Sequence, residues 1–249
     1  MAGLVLNSSA VFQLKFCAKL KFCASISATS LSCKTLLAIL TQPLFNGDIQ
    51  KYNIEKGKNM HDILIQTLNH IVSLEPSEID FLKSVFKIFH INKGDFFLKA
   101  GETNNKLGFI QKGLIRYFVN KNEEEATLEF TKEGEFVAEY QSLVQQSKSI
   151  QSIQAIEDTT MLVMTGDDLQ NLYINTKNGD KIGRIVIEHR FNILVNQLMS
   201  IYMHSPDQRY LHFIKTYPDL VQRVPQYHIA SYVGVKPQSL SRIRKRFAQ

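Results

Sequence analysis

The chain has 249 residues, enough for one large domain or two small ones. At 44% hydrophobic and 21% charged residues it has the composition of a folded globular protein, which excludes a disordered or fibrous chain. Its net charge of +6 is unevenly distributed. Residues 205–249 carry eight Lys and Arg against Asp207 and Asp219, residues 1–47 carry four Lys and no acid, and the stretch between is acidic. A basic C-terminal module on an acidic body directs that module at a polyanion.

The first 59 residues differ from the rest. They hold all three cysteines (Cys17, Cys23, Cys33) and a short duplication, LKFCA at 14–18 and 20–24. Lysines interrupt each apolar run before it reaches the roughly 18 residues of a membrane span. No signal-peptide pattern is clear. EKGKN directly before Met60 would be encoded by purine-rich codons, as a ribosome-binding site would be. Residues 1–59 are therefore expected to be a poorly structured extension or a mis-called start, with a membrane-surface amphipathic segment as the alternative. Three thiols are too few for an all-cysteine iron–sulfur site in one chain. The seven histidines show no paired metal-ligand spacing and read as surface or packing residues. No metal, cofactor or catalytic residue is expected. A nucleophile elbow, paired catalytic carboxylates and a phosphate-cradling glycine loop are all missing from the sequence, so an enzyme is not expected.

From Met60 to Phe89 the spacing of Ile63, Leu64, Leu68, Ile71 and Val72 predicts helix, with a second start at Pro76 followed by acids. The period then changes to short strands: FFLK, LGFIQ, LIRYFV, ATLEFT, FVAEY, IQSIQAI and MLVM. Turn signals such as Lys93-Gly94-Asp95, Lys112-Gly113 and Glu133-Gly134-Glu135 separate them. So many strands without intervening helices predict a β-barrel or jelly roll, here over 60–177 with its flanking helices. Glu123-Glu124-Glu125 reads as a solvated turn. Thr165 and Asp168 form a capping box that opens a helix.

A long helix is expected over 178–204. Ile187, Phe191, Leu194, Leu198 and Ile201 recur at spacings of 4, 3, 4 and 3, a heptad seam suited to a twin helix. The alternative is a helix buried within one subunit. The last segment, 205–249, ends in RVPQYHIASYVGVKPQSLSRIRKRFAQ, which reads as a helix-turn-helix. Small Ala230 permits close helix packing, Gly234 permits a left-handed turn, and Ile229, Val233, Val235, Leu240 and Ile243 would share a core. Pro237 starts the second helix. That helix would present Gln238, Ser239, Ser241, Arg242, Lys245 and Arg246 outward, polar and basic as a major groove requires. Base reading is assigned to Gln238, Ser239 and Arg242, and phosphate contact to Lys236, Arg244, Lys245 and Arg246.

The order barrel, long helix, terminal helix-turn-helix resembles the Crp/Fnr family of bacterial transcription regulators, most of all its short Bacteroidetes members. The resemblance rests on KGDFFLKAGE…LGFIQKGLIRYF and, more specifically, on VPQYHIASYVGVKPQSLSRIRKRF. It implies an α+β fold with a cyclic-nucleotide-binding-like barrel, and a cytoplasmic homodimer on double-stranded DNA. It also implies contact with RNA polymerase and no membrane partner. Residues at Gln238 and Arg242 would read base edges. Gln238 replaces the family's common Glu, and Lys236 its usual capping Ser or Thr. The family's phosphate cassette is broken here. In Gly134-Glu135-Phe136-Val137-Ala138-Glu139 the second glycine is Ala138, and Ser149, Ile150 and Gln151 stand where Arg, Ser/Thr and Ala belong. A degenerate pocket of Glu139, Lys148, Ser149 and Ile150 lacks the bidentate cation of a cyclic phosphate, so no tight cyclic AMP binding is expected. The effector, if one exists, is left open. The alternative function is a small-molecule sensor on the same fold whose output is not DNA binding.

Overall fold

The computed structural model describes residues 60–121 and 124–247. The reading of residues 1–59 lies outside the described residues. Two helices come first, α1 (Asp62–Ile71) and α2 (Pro76–Val85). Glu75 and Glu78 close a capping box at the start of α2, with Pro76 as its first residue. Eight strands follow: β1 (Lys87–Ile91), β2 (Phe96–Leu98), β3 (Lys106–Lys112), β4 (Ile115–Lys121), β5 (Glu124–Thr131), β6 (Phe136–Val137), β7 (Ser152–Ala155) and β8 (Thr159–Thr165). A short helix, α3 (Tyr140–Gln145), interrupts them. They form two antiparallel four-stranded sheets ordered β1-β8-β3-β6 and β2-β7-β4-β5, a sandwich of the jelly-roll kind. Phe97, Ile110, Ile115, Ile153, Met161 and Val137 fill the space between the sheets. At Gly113 φ is +113°, and a Cβ there would run into the backbone of Thr159, so this turn requires glycine.

Three local expectations are corrected. Helix does not reach Phe89. α2 stops at Val85, and Phe89 pairs with Met161 across β1 and β8, a tertiary partner that overrides the helical period. The strand expected over FVAEY ends at Val137, because Glu139 caps α3 instead. The strand expected over IQSIQAI shrinks to Ser152–Ala155.

Thr165 and Asp168 cap α4 (Gly166–Asn175) as predicted. α5 (Gly179–Met203) is the long helix. Its first turns lie on the body, with Ile182 buried and Ile185 and Val186 half-buried. α6 (Pro206–Thr216), α7 (Leu220–Arg223), α8 (Gln226–Val233) and α9 (Pro237–Phe247) complete the chain. Phe213, Leu220, Ile229, Ala230, Val233, Leu240 and Ile243 are all buried in one core, which also takes in Leu114, Phe130 and Ile156 from the sandwich. The terminal helices therefore dock on the sandwich through shared apolar side chains. Phe130 meets Phe213 at 6.1 Å and Tyr232 at 5.6 Å between ring centres, within aromatic pairing range. Among the described residues no helix is long and apolar enough to cross a membrane.

Candidate nucleic-acid interface

Where a helix-turn-helix was expected, α8 and α9 are two helices joined by a tight turn at Gly234. Gly234 closes α8 at φ +76°, and its amide returns to Ala230 and Ser231. Ala230 is fully buried, so a larger side chain would push the two helices apart. Arg209 steadies the turn by donating from Nε to the Val233 carbonyl at 2.7 Å and from Nη1 to the His204 carbonyl at 2.7 Å.

α9 is sharply two-faced. Leu240 and Ile243 point into the core, while Gln238, Ser239, Ser241, Arg242, Arg244, Lys245 and Arg246 are exposed. The side chains of Gln238, Ser239, Arg242, Arg244 and Lys245 form no hydrogen bond or ion pair with other described residues, so their donors face outward. Two of the predicted phosphate contacts are engaged. Arg246 pairs with Asp207 on α6. Lys236 donates to Glu124 at 3.0 Å, at the start of β5. The expected solvated turn around Glu124 and Glu125 is thus part of the contact with the terminal helices.

That contact is a polar seam around the shared apolar core. The Arg223 guanidinium spans two carboxylates. It donates to Glu133 at 2.8 and 3.0 Å and to Glu157 at 2.8 and 3.0 Å. Lys132 meets Asp219 at 2.8 Å. Buried Arg116 of β4 pairs with Glu125 and donates to Nδ1 of His228 on α8. Burial, with the Arg116 charge adding to it, pushes the His228 imidazole down to about 4. His228 is therefore neutral near pH 7 and accepts this hydrogen bond. Sequence reading took His228 for a surface or packing residue and missed the pairing of Arg116 and Arg223 with their carboxylates.

Of the four pocket residues, Glu139 and Ser149 are buried and bonded within the cassette, while Lys148 and Ile150 are exposed. Glu139 is 8% exposed, and its oxygens accept from the Ser142 amide at 2.6 Å and from Gln151 Nε2 at 3.1 Å. The amide of Ala138, at the lost glycine, donates to the Tyr117 hydroxyl at 3.0 Å. Ser149 closes a loop with the Gln151 backbone through its own hydroxyl. Lys148 is exposed, and Ile150 is 84% exposed. The cassette's polar groups therefore satisfy one another, which leaves a phosphate few donors.

Beside the cassette, the barrel meets α5 through charge. Arg190 of α5 pairs with buried Glu129 of β5. Burial pushes the neighbouring Glu135 up to about 7, against a hydrogen bond from the Lys132 backbone and with Glu129 adding repulsion. Further along α5, four of the five seam residues leave the protein surface bare: Phe191 is 64% exposed, Leu194 50%, Leu198 53% and Ile201 62%. Ile187, the first of the five, is half-buried.

Residues 88–176 match the cyclic nucleotide-binding domain family. Among solved structures the chain is similar to one described as a transcriptional regulator of the crp/fnr family from Eubacterium rectale. The two share 14% identity over 77% of this chain and 88% of that one, with a TM-score of 0.57. It is similar to FixK2 from Bradyrhizobium japonicum at 12% identity, covering 66% of this chain and 85% of that one, TM-score 0.57. It is also similar to a mutant of CooA from Carboxydothermus hydrogenoformans at 19% identity, covering 68% and 78%, TM-score 0.54. At these identities the likeness is one of fold. No curated protein sequence matches the chain.

Proposed function

We propose that this protein is a homodimeric, sequence-specific DNA-binding transcription regulator of the Crp/Fnr type that does not respond to cyclic AMP. The observation that carries the reading is the outer face of α9. Gln238, Ser239 and Arg242 stand exposed and unpaired among the described residues, with Arg244 and Lys245 beside them. A rigid, basic, donor-rich helix held by a glycine turn suits a major groove. In it Arg242 would grip a guanine with two donors, and Gln238 an adenine. Arg244 and Lys245 would supply sequence-independent affinity through phosphates.

The bare seam on α5 supports dimerisation. Phe191, Leu194, Leu198 and Ile201 form an apolar stripe that a second copy of the same helix would cover, and a two-fold pair would bring two recognition helices to one duplex. The self-satisfied cassette supports cyclic AMP insensitivity. The resemblance extends the proposal to a cytoplasmic protein that contacts RNA polymerase.

The test is to incubate the purified chain, without added ligand, with fragmented genomic DNA at physiological salt and to sequence the bound fraction. Enrichment of a two-fold symmetric motif with half-sites about one helical turn apart supports the proposal. Binding with no enriched motif opposes sequence-specific reading. On the same sample, a melting temperature unmoved by cyclic AMP supports insensitivity, whereas a rise would restore the pocket.

A further inference from the structure

The side chain that introduces the recognition helix is held by the protein's own acid. Lys236 lies one residue before α9, and its ammonium donates at 3.0 Å to Glu124. Glu124 opens β5, just past the tip of the β4–β5 hairpin, and both partners are mostly exposed. The hairpin is fixed to the helix-turn-helix at neighbouring points. The Ser231 hydroxyl of α8 donates to the Glu125 carbonyl at 2.6 Å and accepts from the Thr127 amide at 2.8 Å. β5 is the outer strand of its sheet, so Ser231 takes up backbone groups that an edge would otherwise leave open. Arg116, which pairs with Glu125 and His228, ties the base of the hairpin to α8.

We propose that the β4–β5 hairpin is an intramolecular acidic latch in which Glu124 occupies Lys236 in place of a DNA phosphate. This rests on the reading of α8 and α9 as a DNA-binding unit. A carboxylate on an ammonium makes the same charge-assisted contact as a phosphate oxygen. The residue just before a recognition helix sits where the duplex backbone passes. A duplex therefore has to displace Glu124 before it gains Lys236, and it meets the repulsion of Glu124 and the half-exposed Glu125 as it approaches. The latch is weak in itself, because exposed ion pairs contribute little, but the hairpin is held in place by Ser231 and Arg116 and so acts at high effective concentration. Any event that lifts the terminal helices off the sandwich frees Lys236.

The experiment compares the full chain with E124Q, which keeps the shape and removes the charge at an exposed site. A labelled duplex of mixed sequence is titrated across a salt series, and both variants are repeated in a K236A background. E124Q should bind about two- to fivefold tighter at low salt, from the size of an exposed pair. Its log–log salt slope should steepen by about one, since Lys236 no longer trades one anion for another. Most of the gain should vanish when Lys236 is Ala. No gain, or an equal gain without Lys236, overturns the latch while leaving DNA binding intact. If neither the wild type nor E124Q binds duplex at low salt, the DNA-binding reading falls and the latch falls with it.

Discussion

The cassette around Glu139 and the outer face of α9 are both built from polar side chains, and they dispose of them in opposite ways. In the cassette the Glu139 carboxylate, the Ala138 amide and the Ser149 hydroxyl each find a partner within a few residues or across the sandwich. On α9 the side chains of Gln238, Ser239, Arg242, Arg244 and Lys245 have none among the described residues. Exposed polar residues are ordinary by themselves, since water satisfies them. What sets α9 apart is that its donors share one sign of charge, one face and a rigid base. A pocket whose polar groups are turned on one another offers a ligand few free donors, whereas donors that all point outward from one rigid face stay free to meet one.

The largest expected effect tests the rigid base. Phe213 is fully buried and meets Phe130, Tyr217 and Tyr232 through ring contacts. Phe213→Ala should cost about 3–5 kcal/mol in denaturant unfolding, as large-to-small changes of buried aromatics do. A loss below about 1 kcal/mol would mean that the terminal helices do not depend on this core, and the contrast drawn here would lose its footing.

The next effect is on pH dependence, and two groups pull in opposite directions. His228 has its imidazole pushed down to about 4 from an ordinary 6.5, so the folded state binds fewer protons than the unfolded chain between those values. Its contribution is full above about pH 6.5 and is lost as pH falls toward 4. Glu135 is pushed up to about 7 from 4.5, so its contribution is full below about pH 4.5 and is lost as pH rises past 7. Glu135→Gln should therefore raise stability at pH 8 by about 1–3 kcal/mol and change it little at pH 4.5. Its turn hydrogen bond from the Lys132 amide, 3.0 Å long, can be kept by the amide oxygen. Thermal melts of the variant at the two pH values check this. An equal change at both would show that Glu135 is not desolvated.

How much was legible in sequence divides along the same line. The two terminal helices and their turn lie within about twenty residues, so Ala230, Gly234, Leu240 and Ile243 could be read from their spacing. The apolar repeat along α5 was legible for the same reason, while its role as a dimer seam belongs to the proposal. The jelly roll emerged from turn signals, but its edges shifted, as at Phe89, because strand pairing joins residues dozens of positions apart. Hidden altogether were Arg116–His228 and Arg223 with Glu133 and Glu157, whose partners lie 112, 90 and 66 residues away in the chain. Nothing in a local pattern shows that a histidine of α8 will meet an arginine of β4. The α3 helix was missed because its cap, Glu139, was read as a ligand group.

A smaller effect separates base reading from phosphate contact. Arg242→Ala should weaken binding to the selected motif by about 1–3 kcal/mol and leave mixed-sequence duplex nearly unchanged. Equal losses on both would move Arg242 from base reading to backbone contact. Competition titrations with the two duplexes measure the difference directly.

The smallest effect is expected where the two regions look most alike in composition, at one exposed lysine of each. Lys148 in the cassette and Lys245 on α9 are both exposed, and neither has a side-chain partner among the described residues. The sequence assigned Lys245 to DNA phosphate contact and Lys148 to a degenerate pocket. Their surroundings differ. Lys148 is flanked in the chain by Ser149, whose hydroxyl is already bonded to the Gln151 backbone within the cassette. Lys245 stands beside Arg242, Arg244 and Arg246 on one helix, so its charge adds to a common field. Lys245→Ala should flatten the salt dependence of duplex binding by about one unit of log–log slope. Lys148→Ala should leave both the slope and the melting temperature within error, as surface substitutions away from a site do. A slope change at Lys148 as large as that at Lys245 would place the cassette in the path of the DNA, and the two regions would then have to be read as one surface.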